Sequence, residues 1–417
     1  MKSYSQALKI LKRNKLIFTD ENITSSNSIN RVCAKNIYSN SNYPAADNSA
    51  FDGYTVSSRA TKKLNTKKGK YFKIQGIIAA GSKLINRKIK KYATYEIMTG
   101  GLLPMGFDTI IPKEKVLFYP NKKNPKYIYI NKKIIKNENI RTKGSDYKKN
   151  DLIIKKGTTI KSNHILAFKT LGIKNIKVKK IPKILFFSTG NEISNQEEIP
   201  HWKVRNSNSH YIQSIDSNFS FKFNYGGILK DNDELVLKNQ IRRLFNSKID
   251  IIITSGAVSA GKFDYIPHII KKYQLSGYFK NIAIRPGKPI LFAKFKNKQK
   301  AFFGLPGNPI SSVACFRFFV YRYLQYSLGI KAEKPIKAVL KNNYTKNLKF
   351  TRFVKSKFNT TKNGKLEVEI LRGQESFRIK PFVQSNIWTA LPSGKSKFKK
   401  GHTVDCFLTS YSNKILL

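Results

Sequence analysis

Three short loops hold most of the chemistry this sequence could perform. They are Ser188-Thr189-Gly190-Asn191-Glu192, the stretch 255–264 with Ser255, Gly256, Ser259, Gly261 and Asp264, and Gly304-Leu305-Pro306-Gly307-Asn308-Pro309. Small residues let backbone N–H groups and hydroxyls approach a phosphate closely, and a following helix N-terminus favours negative charge. Each loop alone reads equally well as an ordinary turn; three at the same edge of one sheet favour a phosphate-bearing ligand. The second loop contains GAVSAGKF, one residue short of the phosphate-loop pattern, with Phe263 where a magnesium-binding hydroxyl belongs. A broken nucleotide loop, a chance match and a different anion site all fit that stretch. In the third loop Asn308 is expected to cap a helix that has Pro309 at its first position.

Carboxylates recur in the same region: Glu192 closes the first loop, Asp264 the second, and Asp231 lies in the turn LKDND. Acids beside a phosphate are unfavourable unless they bind a cation such as Mg²⁺, although turns also use Asp and Asn for backbone reasons. AIRPGKPILF supplies Arg285 and Lys288, cations suited to an oxyanion. The N-terminal half has a second polar set. DNSAFDGY holds Asp47, Asn48, Ser49 and Asp52, IMTGGLLPMGFD holds Thr99 and Asp108, and NIRTKGSDY holds Arg141 and Asp146. Each reads as a turn or as part of a second surface.

The elements that must position these residues change along the chain. The first 40 or so residues read as mainly helical, beginning with a short amphipathic helix. Residues 70–135 carry short β-like runs between turn clusters, as in a small β domain. From about residue 181 the pattern becomes strand, Gly loop, helix, as in IDIIITSGAVSAGKFDYIPHIIKKY, which argues for a parallel sheet with helices on both faces. In such sheets ligands bind at the loops that leave the strand ends. Near residue 333 short β-like segments return.

Composition excludes some classes and weakens others. The chain of 417 residues is 40% hydrophobic and 12% aromatic, enough to build cores and too much for a disordered chain. It carries 79 Lys and Arg against 24 Asp and Glu, a formal charge of +55. Basic pairs such as Lys62-Lys63, Lys148-Lys149 and Lys399-Lys400 are scattered rather than concentrated, and no nucleic-acid module is present. Compositional bias is therefore favoured over nucleic-acid binding, though the charge still attracts anions. Cys33, Cys315 and Cys406 form no metal-ligand spacing and suit a reducing cytoplasm. No apolar run approaches a membrane span.

The blocks DNSAFDGY, IMTGGLLPMGFDTIIP, NIRTKGSD, STGNEI, RNSNS, ITSGAVSAGKFDY, IRPGKPILF and GLPGNPISS occur in this order between about residues 44 and 320. The order resembles that of the molybdopterin molybdenumtransferases, and the C-terminal domain of gephyrin is similar. The resemblance implies a multidomain α/β plus β fold in four parts. Segments 1–45 and 146–180 would form a discontinuous N-terminal domain, and 46–145 an inserted β-rich domain. Residues 181–332 would be a three-layer α/β molybdopterin-binding domain with a mostly parallel sheet, and 333–417 a C-terminal β-barrel. It also implies a cytoplasmic homodimer whose cleft is shared between subunits, working with the adenylyltransferase of the preceding step. The implied reaction takes adenylylated molybdopterin and molybdate, breaks the pyrophosphate linkage with Mg²⁺ present, releases AMP and leaves molybdenum on the dithiolene sulfurs.

Carried over block by block, Glu192, Asp231 and Asp264 would lie nearest the metal or the adenylate, and Lys288 and Arg285 would face molybdate or phosphate. Asp52, Thr99 and Asp146 would close the cleft from the partner subunit, and Arg141 would bind the cofactor. Ser207, Asn208 and the loop residues Ser188, Thr189, Gly190, Ser255, Gly256, Ser259, Gly261, Pro306, Gly307, Asn308 and Pro309 would form the pterin and phosphate floor. On this reading the acid that matters in GAVSAGKFD is Asp264, and Lys262 is one more lysine in a lysine-rich chain. Four positions depart from the family pattern: Asn191 replaces an Asp, Ala257 a Gly, Ser145 a Glu and Arg285 a Lys. The rival readings are molybdopterin adenylylation, which resembles the α/β part alone, and a gephyrin-like scaffold or molybdopterin-binding protein without turnover.

Overall fold

The computed structural model of the chain describes residues 1–85, 89–216, 221–230, 233–258 and 265–409. It divides into two compact units. One comprises Asn36–Lys155 and Ser162–Ile176, and the other Met1–Lys35, Lys156–Lys161 and Lys177–Leu417.

The first of these units is built on a six-stranded sheet. Its strands are β1 (Gly53–Val56), β2 (Lys70–Ile78), β3 (Ala93–Ile97), β4 (Thr109–Pro112), β5 (Leu117–Tyr119) and β6 (Tyr127–Ile130), in the order β4-β1-β3-β2-β6-β5. Neighbours are antiparallel except β2 and β3. β6 shows the period-2 pattern that makes a half-buried strand: Ile128 and Ile130 enter the core while Tyr127 and Tyr129 face outward.

The other unit opens with helix α1 (Tyr4–Arg13), started by a capping box in which the Ser3 hydroxyl accepts from Gln6 N and the Gln6 side chain accepts from Ser3 N. The helix ends at Asn14, so the mainly helical reading of the first 40 residues is corrected: Asp20–Thr24 and Ile37–Tyr38 are strands. The Thr, Asn and Ser content of TDENITSSNSIN favours turns and extended backbone over helix continuation.

A second six-stranded sheet follows in this unit. Its strands are β7 (Lys183–Thr189), β8 (Lys222–Leu229), β9 (Ile251–Ser255), β10 (Leu275–Lys280), β11 (Leu291–Phe295) and β12 (Ala301–Leu305), ordered β8-β7-β9-β12-β11-β10. The first four run parallel, and β11 and β10 are antiparallel additions, so the sheet is mixed. β9 and β12 are buried along their whole length, which is why each carries an apolar run. Successive residues enter separate cores. Phe186, Ile253 and Phe303 join one, and Phe187, Ile252 and Phe302 join another. The connecting helices are α2 (Ser207–Asp216), α3 (Glu234–Asn246), α4 (Ile266–Lys271), and α5 (Pro309–Cys315), which continues through a π-helical turn into α6 (Tyr321–Leu328).

In the C-terminal region β13 (Ile336–Leu340), β14 (Thr351–Thr360), β15 (Leu366–Ile370), β16 (Ile387–Leu391) and β17 (Thr403–Leu408) close on themselves. β14 pairs with β15, β15 with β13, β13 with β17, β17 with β16, and β16 returns to β14. Closure removes exposed sheet edges and leaves a small packed barrel around Leu340, Val354, Val368 and Ile387. On the other face of β14, Phe353 stacks on Phe318 with ring centroids 3.7 Å apart. The three cysteines are buried and unpaired. Among the described residues no helix is long and apolar enough to cross a membrane.

Candidate active site

Strands β7, β9 and β12 are parallel and aligned, with Ser188 opposite Ser255 and Ser255 opposite Leu305. Their carboxyl ends therefore meet at one edge, and the three small-residue loops leave from it together. A cleft of about 300 Å³ opens there. Eight of the expected residues line it: Ser188, Glu192, Ser207, Asn208, Ser255, Gly307, Asn308 and Pro309. Asp231, Ser259, Gly261 and Asp264 lie outside the described residues.

Two asparagines hold the cleft together. Asn208 donates from Nδ2 to Ser255 Oγ at 2.7 Å and to the Gly307 carbonyl at 2.9 Å, tying the second loop to the third. Ser255 Oγ in turn donates to the Pro306 carbonyl at 3.3 Å. Asn206, only 5% exposed, accepts from Ser188 Oγ at 2.7 Å and donates to Asn195 Oδ1 and the Tyr225 hydroxyl, each at 2.8 Å. Asn206 was not among the sequence-level candidates. Its signal was its place in RNSNS, immediately before α2, but its role depends on Tyr225 of β8. α2 begins with Ser207 and Asn208 at the cleft, so the positive end of its dipole is available to an anion there.

The first and second loops need glycine where they touch. Gly256 has φ +111°, and a Cβ on it would lie 2.4 Å from both the carbonyl and the hydroxyl of Thr189. The Thr189 hydroxyl itself donates to the Ser255 carbonyl at 2.7 Å. Gly190, with φ +136°, allows the exposed Glu192 carboxylate to fold over it, 2.4 Å from where a Cβ would stand. Ala257 adopts φ +51°, a left-handed conformation at one of the positions that departs from the family pattern.

The third loop is only partly as expected. Asn308 occupies the N-cap position of α5 with Pro309 next, but its side chain makes no capping bond. Nδ2 instead donates to Ser376 Oγ at 3.2 Å, from a barrel loop with no sequence-level signal. Arg285 and Lys288 do not line the cleft among the described residues. The Arg285 guanidinium lies 4.8 Å over the Phe350 ring, and Lys288 is exposed. Among the described residues no group of three or more His, Cys, Asp or Glu side chains is placed to hold a metal. Among the described residues the Glu192 carboxylate makes no salt bridge, in a chain with 79 Lys and Arg.

In the unit that contains β1, the three N-terminal motifs converge through the backbone. Ser49 N donates to the Gly101 carbonyl and Gly100 N to the Ser49 carbonyl, at 3.0 and 2.9 Å. Arg141 pairs with Asn48 across a short antiparallel bridge, Lys143 N donates to Asp47 Oδ1 at 2.7 Å, and Asp146 N donates to the Tyr43 carbonyl at 3.1 Å. The exposed Asp52 carboxylate accepts from Thr99 N at 2.7 Å and Thr99 Oγ1 at 2.8 Å. The Thr99 backbone bond first, then its hydroxyl and the charge of Lys113, hold the Asp52 carboxyl below its ordinary range. Thr99, Arg141 and Asp146 are exposed.

Three family models match in chain order. They are the MoeA N-terminal region (domain I and II) over residues 2–172, a probable molybdopterin binding domain over 186–326, and the MoeA C-terminal region (domain IV) over 337–408. Fold and site thus define a chain of the MoeA class. A molybdopterin molybdenumtransferase of Staphylococcus aureus strain COL is 31% identical over 386 residues, covering 92% of this chain and 89% of that protein. One from Staphylococcus epidermidis strain RP62A is 29% identical over 421 residues, covering 100% and 98%. The crystal structure of a molybdopterin biosynthesis moeA protein from Pyrococcus horikoshii OT3 superimposes with a TM-score of 0.82 at 23% identity, covering 98% of this chain and 100% of that one, and supports the fold. The chain belongs to the molybdopterin molybdenumtransferase family.

Proposed function

We propose that this chain transfers molybdenum from molybdate into adenylylated molybdopterin, releasing AMP and giving molybdenum cofactor. The observation that carries this reading is the cleft at the aligned ends of β7, β9 and β12, where Asn208 joins Ser255 to the Gly307 carbonyl. Its similarity to relatives named molybdopterin molybdenumtransferases supplies the substrate class. Breaking a phosphoanhydride requires negative charge to be stabilised on phosphate oxygens. The α2 N-terminus and the loop backbones would hold the phosphates, with Ser207, Asn208, Pro306, Gly307, Asn308 and Pro309 shaping the floor beneath the pterin. Glycine at 190 and 256 supplies the positive φ these turns need and leaves no Cβ to collide with Glu192 or Thr189.

Of the acids assigned to Mg²⁺, Glu192 is described, and its chemistry fits that ion. Hard divalent ions take carboxylate oxygens together with substrate phosphates, and Glu192 offers an exposed carboxylate at the cleft. Glu192, Asp231 and Asp264 would hold the ion, which when bound neutralises phosphate charge. Arg285 and Lys288 would receive molybdate from the adjoining turn. The enzyme would act as a cytoplasmic homodimer, with Asp52, Thr99, Arg141 and Asp146 supplied to the cleft by the partner subunit, and would receive substrate from the adenylyltransferase of the preceding step. The four-part domain division and a three-layer α/β centre belong to the same reading.

The test is reconstitution. Purified protein is mixed with adenylylated molybdopterin, molybdate and Mg²⁺, and AMP is followed by chromatography. Molybdate-dependent AMP release is expected; its absence would overturn the reading.

A further inference from the structure

The barrel contains a lysine unlike the others in this lysine-rich chain. Lys355 lies on β14 and is 1% exposed. Its ammonium donates to three backbone carbonyls of one loop: Gly373 at 2.7 Å, Arg378 at 3.1 Å and Glu375 at 3.2 Å. Lys has three donors and no acceptor, so this cage satisfies it completely. The same loop is clamped to the Lys355 backbone. Gln374 Oε1 accepts from Lys355 N at 2.9 Å, and Gln374 Nε2 donates to the Lys355 carbonyl at 2.8 Å. Burial pulls the Lys355 pKa down to about 8, which leaves the ammonium mainly charged at pH 7.

The loop carries Ser376 between two of the caged carbonyls. Ser376 Oγ accepts from Asn308 Nδ2 at 3.2 Å, and its carbonyl accepts from Ile310 N at 3.3 Å. Ile310 N belongs to the first turn of α5, where N–H groups lack partners within the helix. Ser376 therefore supplies what a capping Asn308 side chain would otherwise provide, and Asn308 is left lining the cleft. The route runs from the lysine cage to the loop, from the loop to Asn308, and from Asn308 to the wall opposite Asn208.

We propose that Lys355 is a positioning residue for the cleft: its ammonium holds loop 373–378 so that Ser376 fixes Asn308 and the start of α5 for substrate binding. The identity of that substrate rests on the proposed function. Among the described residues Lys355 does not line the cleft, and its hydrogen bonds go to the loop, so it acts through the loop.

The test uses the full-length protein with Lys355→Met, Ser376→Ala and the double variant. Hydrogen exchange followed by mass spectrometry reads the peptides covering 308–312 and 371–379. Steady-state kinetics with varied adenylylated molybdopterin separates KM from kcat. Exchange in both peptides should speed by about 10-fold or more in Lys355→Met while β13 and β17 stay protected, since only the loop loses its anchor. KM should rise about 10-fold with kcat within 2-fold, because the loss falls on binding. The double variant should be no worse than Lys355→Met alone, as expected for two residues on one route. Unchanged exchange at 308–312 in Lys355→Met, or additive KM effects in the double variant, would overturn the proposal. If Lys355→Met does not fold, Ser376→Ala decides: it keeps the Ile310 N bond to the residue 376 carbonyl and removes only the hydroxyl that holds Asn308, so an unchanged KM overturns the route. A parent protein without turnover defeats the proposed function but leaves the exchange result to decide the role of Lys355.

Discussion

Adjacent residues 256 and 257 should respond to substitution with opposite signs. At Gly256 an added Cβ meets the Thr189 carbonyl and hydroxyl at 2.4 Å, and φ +111° is unsuited to an L-residue whatever the space. The obstructing carbonyl is backbone and cannot rotate away. Backbone strain of about 1–3 kcal/mol adds to an overpacking cost of about 1–3 kcal/mol, so Gly256→Ala should destabilise by roughly 2–6 kcal/mol. It should also push Thr189 off the Ser255 carbonyl and separate the first two loops. Ala257 stands at φ +51°. A left-handed conformation costs an L-residue about 1–2 kcal/mol, and glycine's greater unfolded-state freedom returns about half of that. Ala257→Gly should therefore stabilise by about 0.5–1 kcal/mol. Urea denaturation of the two variants and the parent, followed by far-UV circular dichroism, measures both. A Gly256→Ala protein as stable as the parent, or an Ala257→Gly protein less stable than it, would refute the steric reasoning.

Replacing Thr99 by Val should raise the Asp52 pKa toward the ordinary carboxylate range, because a hydroxyl bond of 2.8 Å is lost while the backbone bond remains; carboxyl chemical shifts across pH 2–6 would show it. Folding stability should rise with pH through the Lys355 transition. Its folded pKa of about 8 lies below the ordinary 10.5, set mainly by burial, with Arg352 and Arg378 lowering it and Glu375 raising it. Unfolding then takes up a proton between those values, so the contribution is complete above the unfolded value and gone below the folded one. Linkage gives a gain of about 1 kcal/mol from pH 7.5 to 9, and urea midpoints of the parent should climb by that much more than those of Lys355→Met. Arg317, 1% exposed, donates from Nη2 to both carboxylate oxygens of Glu333, at 2.8 and 2.9 Å, so Glu333→Ala removes the carboxylate that faces a buried guanidinium. The expected loss is about 3 kcal/mol, read as a lowered unfolding midpoint; a change below about 0.5 kcal/mol would mean that the ring contacts and the Leu408 carbonyl suffice to hold the charge.

What could be read from the sequence followed from strands buried on both faces. DIIITS and KAFFGL carry the apolar runs Ile251–Ile253 and Ala301–Phe303 because both faces of β9 and β12 meet a core, and the small residues that follow each must then lie at the sheet's edge. The antiparallel β11 could not be told from a parallel strand, since it is buried along its whole length like β9 and β12. Asn206 and Ser376 escaped for a different reason. Each is an ordinary polar residue in a turn-like stretch, and its meaning lies in a partner far along the chain: Tyr225 for one, Asn308 for the other. Arg285 was legible as a cation, but its stacking on Phe350 depends on the short pairing of Ile284–Arg285 with β14.

Charge was the least informative property by count and the most informative by environment. With 79 Lys and Arg, any single cation carries almost no information from its type. A solvated lysine costs the fold little, whereas a buried one must find acceptors for all its donors or shed its proton. Lys355 meets that demand with three carbonyls of one loop, and in doing so determines where the loop can lie. The converse holds for the acids. In a chain at +55 cations compete for every exposed carboxylate, and Glu192, which among the described residues makes no salt bridge, offers its oxygens in a cleft that Arg205 also lines. Reversing that one charge with Glu192→Lys should abolish any Mg²⁺ dependence of AMP release, whereas the same reversal at Glu114, a solvent-facing acid remote in sequence, should leave it intact.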